Sequence, residues 1–335
     1  MDIVYLTDIH DNLKKLRYVI QNTEADLYII SGDLIYKAFF TDEKLYNFVS
    51  IQEEFFSYLA IEGIQGTPSE LAISIIRMPE NYKPDFLAKA KEYQVLFNKA
   101  AFNMKEKYQI IKDLVNKYAR APTIFLPGNY DMDLQYSALY KFDIHKTSKL
   151  IDDIKFSGYG GAPIPTSGIP EMVSVVFYEY IVNGKIYSEP FQFFKNHLPD
   201  IMILHNPAYG TLDKVPSYGH VGSIGIREYI DTHKPALVLS GHIHSDYGFL
   251  KIEETCYLNP SNFGAVDTLS GHDDGGYFSR IILEKKEKIN IQKVIWYKLV
   301  EKEIVPICEI MIDKEKMEQK ILHHDIFQKM EKFLR

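Results

Sequence analysis

Five short segments of the sequence carry side chains that could bind metal ions. In chain order they are Asp8-x-His10, Gly32-Asp33, Gly128-Asn129, His205 and Gly241-His242-x-His244. Each segment alone is weak evidence, because a Gly-Asp pair usually marks a turn and a single histidine is commonly a structural residue. Together they offer four imidazoles, two carboxylates and one amide oxygen. Such a set is typical of a site that collects cations.

The ligand types narrow the class of metal. Imidazole combined with carboxylate suits Mn, Fe, Zn, Co or Ni, and the lack of thiolates in the set disfavours structural zinc. A carboxylate that bridges two cations holds them about 3.5–4 Å apart, where an activated water can attack phosphorus in line. The residue types therefore suit divalent transition-metal ions, of which we favour Mn.

Each segment follows a short apolar run that is typical of a buried strand. The runs are Val4–Leu6, Leu27–Ile30, Thr123–Leu126, Ile201–Leu204 and Ala236–Leu239. Ligands of layered α/β proteins tend to bind just beyond the carboxyl ends of strands. We therefore expect the five segments to lie along the same edge of the predicted sheets.

The ordered segments resemble the motifs of the calcineurin-like metallophosphoesterase superfamily, which run D-x-H, G-D, G-N-H, H and G-H-x-H. The resemblance covers residues 1–284 apart from an insert. It implies an α/β fold, a four-layer α-β-β-α metallophosphoesterase sandwich of two mixed sheets. It also implies that a hydroxide between two metals hydrolyses phosphodiesters or phosphomonoesters.

The same resemblance assigns the metal ligands by motif position. One metal would be held by Asp8, His10 and His244. The second metal would be held by Asn129, His205 and His242. Asp33 would bridge both metals.

The third motif departs from the family pattern at Tyr130. The family commonly has a histidine there, which stabilises the transition state or protonates the leaving group. A phenol with a pKa near its ordinary value of about 10 is a poor acid at neutral pH. Asp131 follows where an acidic residue often stands, so the predicted catalytic residues are Asp33, Asn129, Tyr130 and Asp131. We expect metal binding to persist and esters with poor leaving groups to react slowly.

Two further features leave alternatives open. The segment Gly32-Asp33-x-x-Tyr36 resembles the iron-binding tyrosine motif of purple acid phosphatases, but those enzymes lack the first-motif histidine that this chain keeps. A tyrosine that closes the pocket is therefore favoured over a tyrosinate ligand. The residues from 205 to 223 are similar to a subgroup related to cyclic-nucleotide phosphodiesterases. Within them, Ser223 could cap a helix or help to hold a phosphate at its N-terminus.

Residues 38–120 do not follow the strand–turn rhythm and predict an inserted helical module. Apolar residues spaced by threes and fours from Phe86 to Tyr118 predict one helix of about nine turns. A capping box at Thr67–Glu70 predicts the start of another helix. The segment Lys83–Arg120 contains nine basic and four acidic residues. The module could cap the active-site cleft or form a dimer arm.

The remaining boundaries follow from this insert. Residues 1–37 and 121–284 are assigned to the metallophosphoesterase core, and residues 285–335 to a C-terminal strand and helix extension. Within them, Val173–Ile181 predicts a strand, Ser223–Thr232 predicts a short helix, and the tail after Lys314 predicts a charged helix.

Composition limits the partners. A formal net charge of −7 argues against a globally basic nucleic-acid-binding protein. The two cysteines form no CxxC pair, no targeting segment is recognisable, and no run of 18 apolar residues occurs. We therefore expect a cytoplasmic protein that acts on a small phosphate ester, with no membrane partner and possible homodimerisation through the insert.

Two other functions remain open. The basic helix of the insert would suit a nuclease, although a solvated helix face is the favoured interpretation. The other alternative is a catalytically weak metal-binding interaction protein of the same fold, as the retromer-subunit relatives of the superfamily are. The complete ligand set argues against this alternative, whereas Tyr130 argues for it.

Overall fold

The structure is a computed structural model that describes residues 1–268, 271–313, 316–328 and 333–335. Its helices are α1 (Leu13–Asn22), α2 (Asp42–Ile61), α3 (Pro68–Arg77), α4 (Phe86–Tyr118), α5 (Glu189–His197), α6 (Ile224–His233) and α7 (His324–Phe327). The strands of the N-terminal half are β1 (Asp2–Thr7), β2 (Leu27–Ser31), β3 (Thr123–Leu126), β4 (Thr147–Ile151), β5 (Ile154–Tyr159), β6 (Glu179–Val182) and β7 (Lys185–Ser188). The next strands are β8 (Ile201–Leu204), β9 (Lys214–Val215), β10 (Gly219–His220), β11 (Leu237–Leu239), β12 (Gly248–Ile252) and β13 (Thr255–Asn259). The last strands are β14 (Val266–Thr268), β15 (Gly271–Asp273), β16 (Tyr277–Lys285), β17 (Ile289–Val300), β18 (Glu303–Asp313) and β19 (Lys316–Ile321).

Two mixed sheets form the centre of the molecule. The first has the order β19-β18-β17-β16-β1-β2-β3, with β1, β2 and β3 parallel. The second has the order β12-β13-β11-β8-β5-β4, with β13, β11, β8 and β5 parallel. Tyr5 and Ile29 of the first sheet share a buried cluster with Ile203 and Leu239 of the second. The two sheets therefore pack face to face.

Helices cover both outer faces. Val4 and Leu6 alternate with the inward-facing Tyr5 and pack into a cluster that contains α1 and the helices α2, α3 and α4. On the other side, Met202 and Leu204 pack into a third cluster with α5 and α6. The predicted α-β-β-α order of layers is confirmed.

The predicted insert contains three α-helices, of which α4 has 33 residues. The capping box at Thr67 and Glu70 is present at the start of α3. The apolar stripe of α4 is buried within the chain, as Tyr93, Ala100 and Ile111 illustrate. Because the stripe is already covered, it gives no support to a dimer arm, and both roles proposed for the insert stay predictions.

Two predicted elements differ from the structure. In the segment Val173–Ile181 only the end belongs to a strand, β6, because residues 174 and 176 form isolated bridges to loops instead of a ladder. The tail after Lys314 forms the edge strand β19 and only a four-residue helix, α7, and residues 314 and 315 lie outside the described part of the chain. Half-buried and exposed residues alternate along β19, which is the period of a strand.

Among the described residues, no helix is long and apolar enough to cross a membrane.

Candidate metal centre

The five predicted segments follow five parallel strands, and all five strands end at the same side of the sandwich. The segments with Asp8, Asp33 and Asn129 follow β1, β2 and β3 of the first sheet. Those with His205 and His242 follow β8 and β11 of the second. Backbone bonds join these loops, since His10 N–H donates to the carbonyl of Asp33 and Gly241 N–H donates to that of His205.

Six of the predicted ligands form two clusters. Asp8, His10 and His244 make up the first, and the second consists of Asp33, His205 and His242; in each, the candidate ligand atoms lie within 4.8 Å of one another. In the first, His244 Nε2 lies 3.2 Å and His10 Nε2 lies 3.6 Å from Asp8 Oδ1. The sequence-predicted ligand groups are therefore brought together.

Asp33 lies between the two clusters. Its Oδ1 atom is 3.4 Å from His205 Nε2, and its Oδ2 atom is 3.9 Å from His10 Nε2. The two oxygens of one carboxylate thus face imidazoles that belong to different clusters. This is the geometry that a bridging ligand requires.

Asn129 is positioned by a residue that sequence reasoning missed. Its side-chain oxygen lies 2.8 Å from His205 Nε2, and its side-chain nitrogen donates to Thr166 Oγ1 at 2.5 Å. With the nitrogen bound to Thr166, the oxygen points towards the second cluster. A lone threonine next to a proline carries no sequence signal that could have identified this role.

The loops that carry the ligands have unusual backbone conformations. Asp8, His10, Asp33 and His242 all have φ between 44° and 68°. Non-glycine residues in this region are uncommon, and such strain concentrates at functional sites. At φ 70°, Gly32 also has no room for a side chain, because a Cβ atom there would lie 1.9 Å from His205 Nδ1.

The two buried carboxylates suit cation binding. Burial alone would raise the pKa of Asp8, but the adjacent imidazoles of His10 and His244 hold it well below its usual range. Burial also opposes ionisation of Asp33, and His205 lowers the pKa of Asp33 below the usual value. Burial, followed by the neighbouring His205, lowers the pKa of His242 to about 4. Asp8 and Asp33 are therefore carboxylates at neutral pH, and His242 is a neutral imidazole.

Unpartnered nitrogen atoms provide a test of whether the cluster fits metal ions. Both ring nitrogens of His10 and the Nδ1 atom of His205 are buried and make no hydrogen bond to the described residues. An unpaired buried polar atom is costly, and a metal bond to one of these nitrogens would remove that cost. The imidazole and carboxylate donors also match the preferences of divalent transition metals. The residues present therefore fit such cations.

Tyr130 lies beside the clusters. Its backbone N–H donates to Asp33 Oδ1 at 2.9 Å, and its ring centroid is 6.0 Å from that of His10. Burial first, and then the charge of Asp33, raises the pKa of Tyr130 to about 12. The phenol is therefore protonated at neutral pH.

Asp131 connects the loop that follows β2 to the loop that follows β3. Its carboxylate accepts hydrogen bonds from the backbone of Gly128 and Leu34 and from the hydroxyl of Tyr108. Burial and the charge of Asp33 raise the pKa of Asp131 to about 7. This geometry joins the second and third motif loops to the long helix α4.

The start of α6 is already occupied. Ser223 caps the helix by accepting from the N–H of Ile226, and the carboxylate of Glu179 accepts from the Ser223 hydroxyl and from the N–H groups of Ile224 and Gly225. The capping interpretation of Ser223 is confirmed, and the phosphate-binding alternative is wrong because a carboxylate fills the position.

Comparison with known proteins agrees with this geometry. The family model described as calcineurin-like phosphoesterase matches residues 92–246. No protein with curated annotation matches the chain. One solved crystal structure, 13% identical, covers 87% of this chain and 98% of its own, with a TM-score of 0.53. The fold, the order of the motifs and the match over residues 92–246 are all similar to the calcineurin-like phosphoesterase family.

Two further solved structures are more distant. The protein TT1561 of Thermus thermophilus is 14% identical, covers 84% of this chain and 93% of its own, and has a TM-score of 0.41. A conserved uncharacterized protein of Streptococcus pneumoniae is 9% identical, covers 96% of this chain and 97% of its own, and has a TM-score of 0.36.

Proposed function

We propose that the protein is a dinuclear metal-dependent hydrolase of small phosphate esters. The main support is the position of Asp33, whose two carboxylate oxygens face His205 of one cluster and His10 of the other. A buried carboxylate is costly unless its charge is balanced, and bound cations would balance the charge of Asp33. A shared cation site would explain the position of Asp33.

The site residues would have different roles in metal binding, proton donation and loop positioning. Bound cations, for which we favour Mn, would lower the pKa of a coordinated water and neutralise charge on the phosphoryl oxygens. Asp8, His10 and His244 would hold one cation, while Asn129, His205 and His242 would hold the other. The phenol of Tyr130 would donate a hydrogen bond or proton on the side of the leaving group. Asp131 would position the loops rather than touch the substrate, since its carboxylate faces backbone N–H groups.

Metal analysis and activity together test this proposal. After reconstitution with Mn, the protein should hold close to two cations per chain and hydrolyse aryl phosphate mono- or diesters. Asp33→Ala should lose most of both properties, and His242→Ala should lose one cation. His272→Ala is the matched control, because this exposed histidine lies outside both clusters. One tightly held cation that His242→Ala leaves unaffected would rule out the two-metal proposal.

A second candidate is a metal-binding interaction protein with weak catalysis. It is favoured by Tyr130, whose pKa of about 12 makes it a poor acid. Two bound cations without measurable turnover on any aryl ester would support this candidate.

The nuclease alternative has less support. Lys89 of α4 is paired with Glu54, and Lys107 is buried against Asp11. Two of the basic residues that suggested a nucleic-acid surface are therefore used within the protein.

A further inference from the structure

A cavity of about 220 Å³ lies beside the metal centre. Its walls come from Tyr36 in the loop after β2, from Leu45 of α2, from Tyr130 after β3, and from residues 167–169. The insert and the core therefore build it together. Gln52 of α2 fixes the wall formed by residues 167–169, because its side-chain amide accepts from the N–H of Gly168 and donates to the carbonyl of Ile169.

The cavity adjoins the metal ligands. The ring centroid of Tyr36 is 5.1 Å from that of His10, and the centroid of Tyr130 is 6.0 Å from it. The backbone of Tyr130 is bonded to the carboxylate of Asp33. A group bonded to a phosphate at the metal centre would thus reach the cavity within the length of a single sugar or ring.

The walls are aromatic and aliphatic. The rings of Tyr36 and Tyr130 are stacked, with centroids 5.6 Å apart and planes inclined by 28°. Leu45 and Ile169 add aliphatic surface. The ammonium group of Lys37, which also lines the cavity, is paired with Asp42 at 2.6 Å. A neutral flat group suits these walls better than a second anion, which would need an unpaired cation.

The volume limits the occupant further. Pockets for drug-sized ligands usually measure about 300–1,000 Å³. A cavity of about 220 Å³ holds one ring system, but it does not hold an extended polymer.

We propose that this cavity binds a single flat aromatic group, such as a nucleobase, of the ester whose phosphate the metal centre binds. The substrate class is therefore a small nucleotide-like phosphate ester. The proposal rests on the proposed function, in which the metal centre binds the phosphate group of the ester. The cavity would bind the organic group of the same ester. Stacking of a base on an aromatic side chain typically strengthens binding about 5- to 150-fold.

Equilibrium binding to the Mn-loaded protein separates the contribution of the base from that of the phosphate group. The probes are the non-hydrolysable methylene phosphonate analogue of adenosine 5′-phosphate and the matching analogue of ribose 5-phosphate, which lacks the base. We expect the adenosine analogue to bind about tenfold more tightly. Equal affinities would overturn the cavity proposal and leave the proposed function intact.

Two variants identify the cavity as the cause. Tyr36→Leu should remove most of the advantage of the adenosine analogue, with the affinity for the ribose analogue and the metal content unchanged. Tyr46→Leu is the matched control, because Tyr46 is exposed on α2 and does not line the cavity. If Tyr36→Leu does not fold, Leu45→Trp, which fills the cavity from the side of the insert, should have the same effect. A loss of metal in Tyr36→Leu would make Tyr36 a ligand and overturn the proposal.

A last measurement distinguishes a failure of the cavity proposal from a failure of the proposed function. If neither phosphonate binds, the proposed function fails, and the cavity proposal is decided by adenosine alone. Ligand-observed NMR should then detect adenosine, but not ribose, on the wild-type protein. No adenosine signal would overturn the cavity proposal as well.

Discussion

Tyr130 has two separate tasks, one for its backbone and one for its side chain. Its backbone N–H holds the carboxylate of Asp33, and its ring faces His10 and stacks on Tyr36. The first task is independent of the side chain, so replacing Tyr130 changes the chemistry beside the metal centre without removing the bond to Asp33. The residue is therefore well suited to test how a phosphate ester loses its leaving group here.

We predict that Tyr130→His increases turnover most for esters with poor leaving groups. An imidazole with a pKa near its usual value of about 6.5 is a better acid at neutral pH than a phenol whose pKa is about 12. General acid catalysis typically contributes about 10²–10⁴-fold, so a partly aligned imidazole should give at least about a tenfold gain. The measurement is kcat/KM over a series of aryl phosphates with different leaving-group pKa values.

Tyr130→Phe is the control for this substitution, because it keeps the ring and removes only the hydroxyl. It should make the dependence on leaving-group pKa steeper. An equal change across the whole series for both variants would mean that Tyr130 has no role as an acid.

At the scale of elements, the helix α4 supports the metal centre from behind. Lys107 is buried and its ammonium group donates to Asp11 Oδ2 and to the carbonyl of Lys37, each at 2.7 Å. The next residue, Tyr108, donates to Asp131 and accepts from the N–H of Met132. Two consecutive residues of the insert thus hold the loop that carries His10 and the loop that carries Asn129.

We predict that Lys107→Met weakens metal binding about tenfold. Without the ammonium group, Asp11 keeps its backbone hydrogen bonds but loses its cationic partner one residue from His10. Residues behind metal ligands typically contribute about 10–100-fold to metal affinity. Titration with Mn would measure the change, and Lys105→Met, an exposed lysine of the same helix, is the control. If Lys107→Met lowers only the melting temperature and leaves metal affinity unchanged, the contact is structural alone.

Part of this arrangement could be predicted from the sequence. The strands before Asp8 and His205, the ligand segments and the helix Phe86–Tyr118 all follow from local patterns, because apolar runs and spacings of threes and fours are set by neighbouring residues. Thr166 and Lys107 could not be predicted, since their partners lie 37 and 96 residues away along the chain. The tail after residue 314 was misassigned for a related reason: its charged residues resemble a helix, whereas pairing with β18 makes Lys316–Ile321 an edge strand.

At the scale of the whole molecule, the insert and the first sheet share one core. A single buried cluster joins Leu6 and Phe125 of the sheet to Phe48, Phe55 and Tyr93 of the insert. Residues 38–120 are separate in the sequence pattern, but they have no separate core in the fold. The chain segments assigned to the insert and to the core therefore share buried contacts, and their boundaries as domains stay a prediction.

We predict that the insert and the sandwich unfold together. The helices of the insert dominate the far-UV circular dichroism, because α4 alone has 33 residues. Trp296, the single tryptophan, is buried between the sheets against Phe333 and reports on the sandwich through its fluorescence. In a urea titration the two signals should show the same midpoint.

The substitution Phe55→Ala tests this coupling from one side. Phe55 is fully buried between α2 and α4, and its truncation should cost about 3–5 kcal/mol in the free energy of unfolding. Because the core is shared, the midpoints measured by circular dichroism and by Trp296 fluorescence should fall by the same amount. Tyr46→Ala, an exposed position on the same helix, should move neither midpoint by more than about 0.5 kcal/mol in equivalent free energy. If Phe55→Ala shifts the circular dichroism alone, the insert is an independent module that can open while the metal centre remains folded.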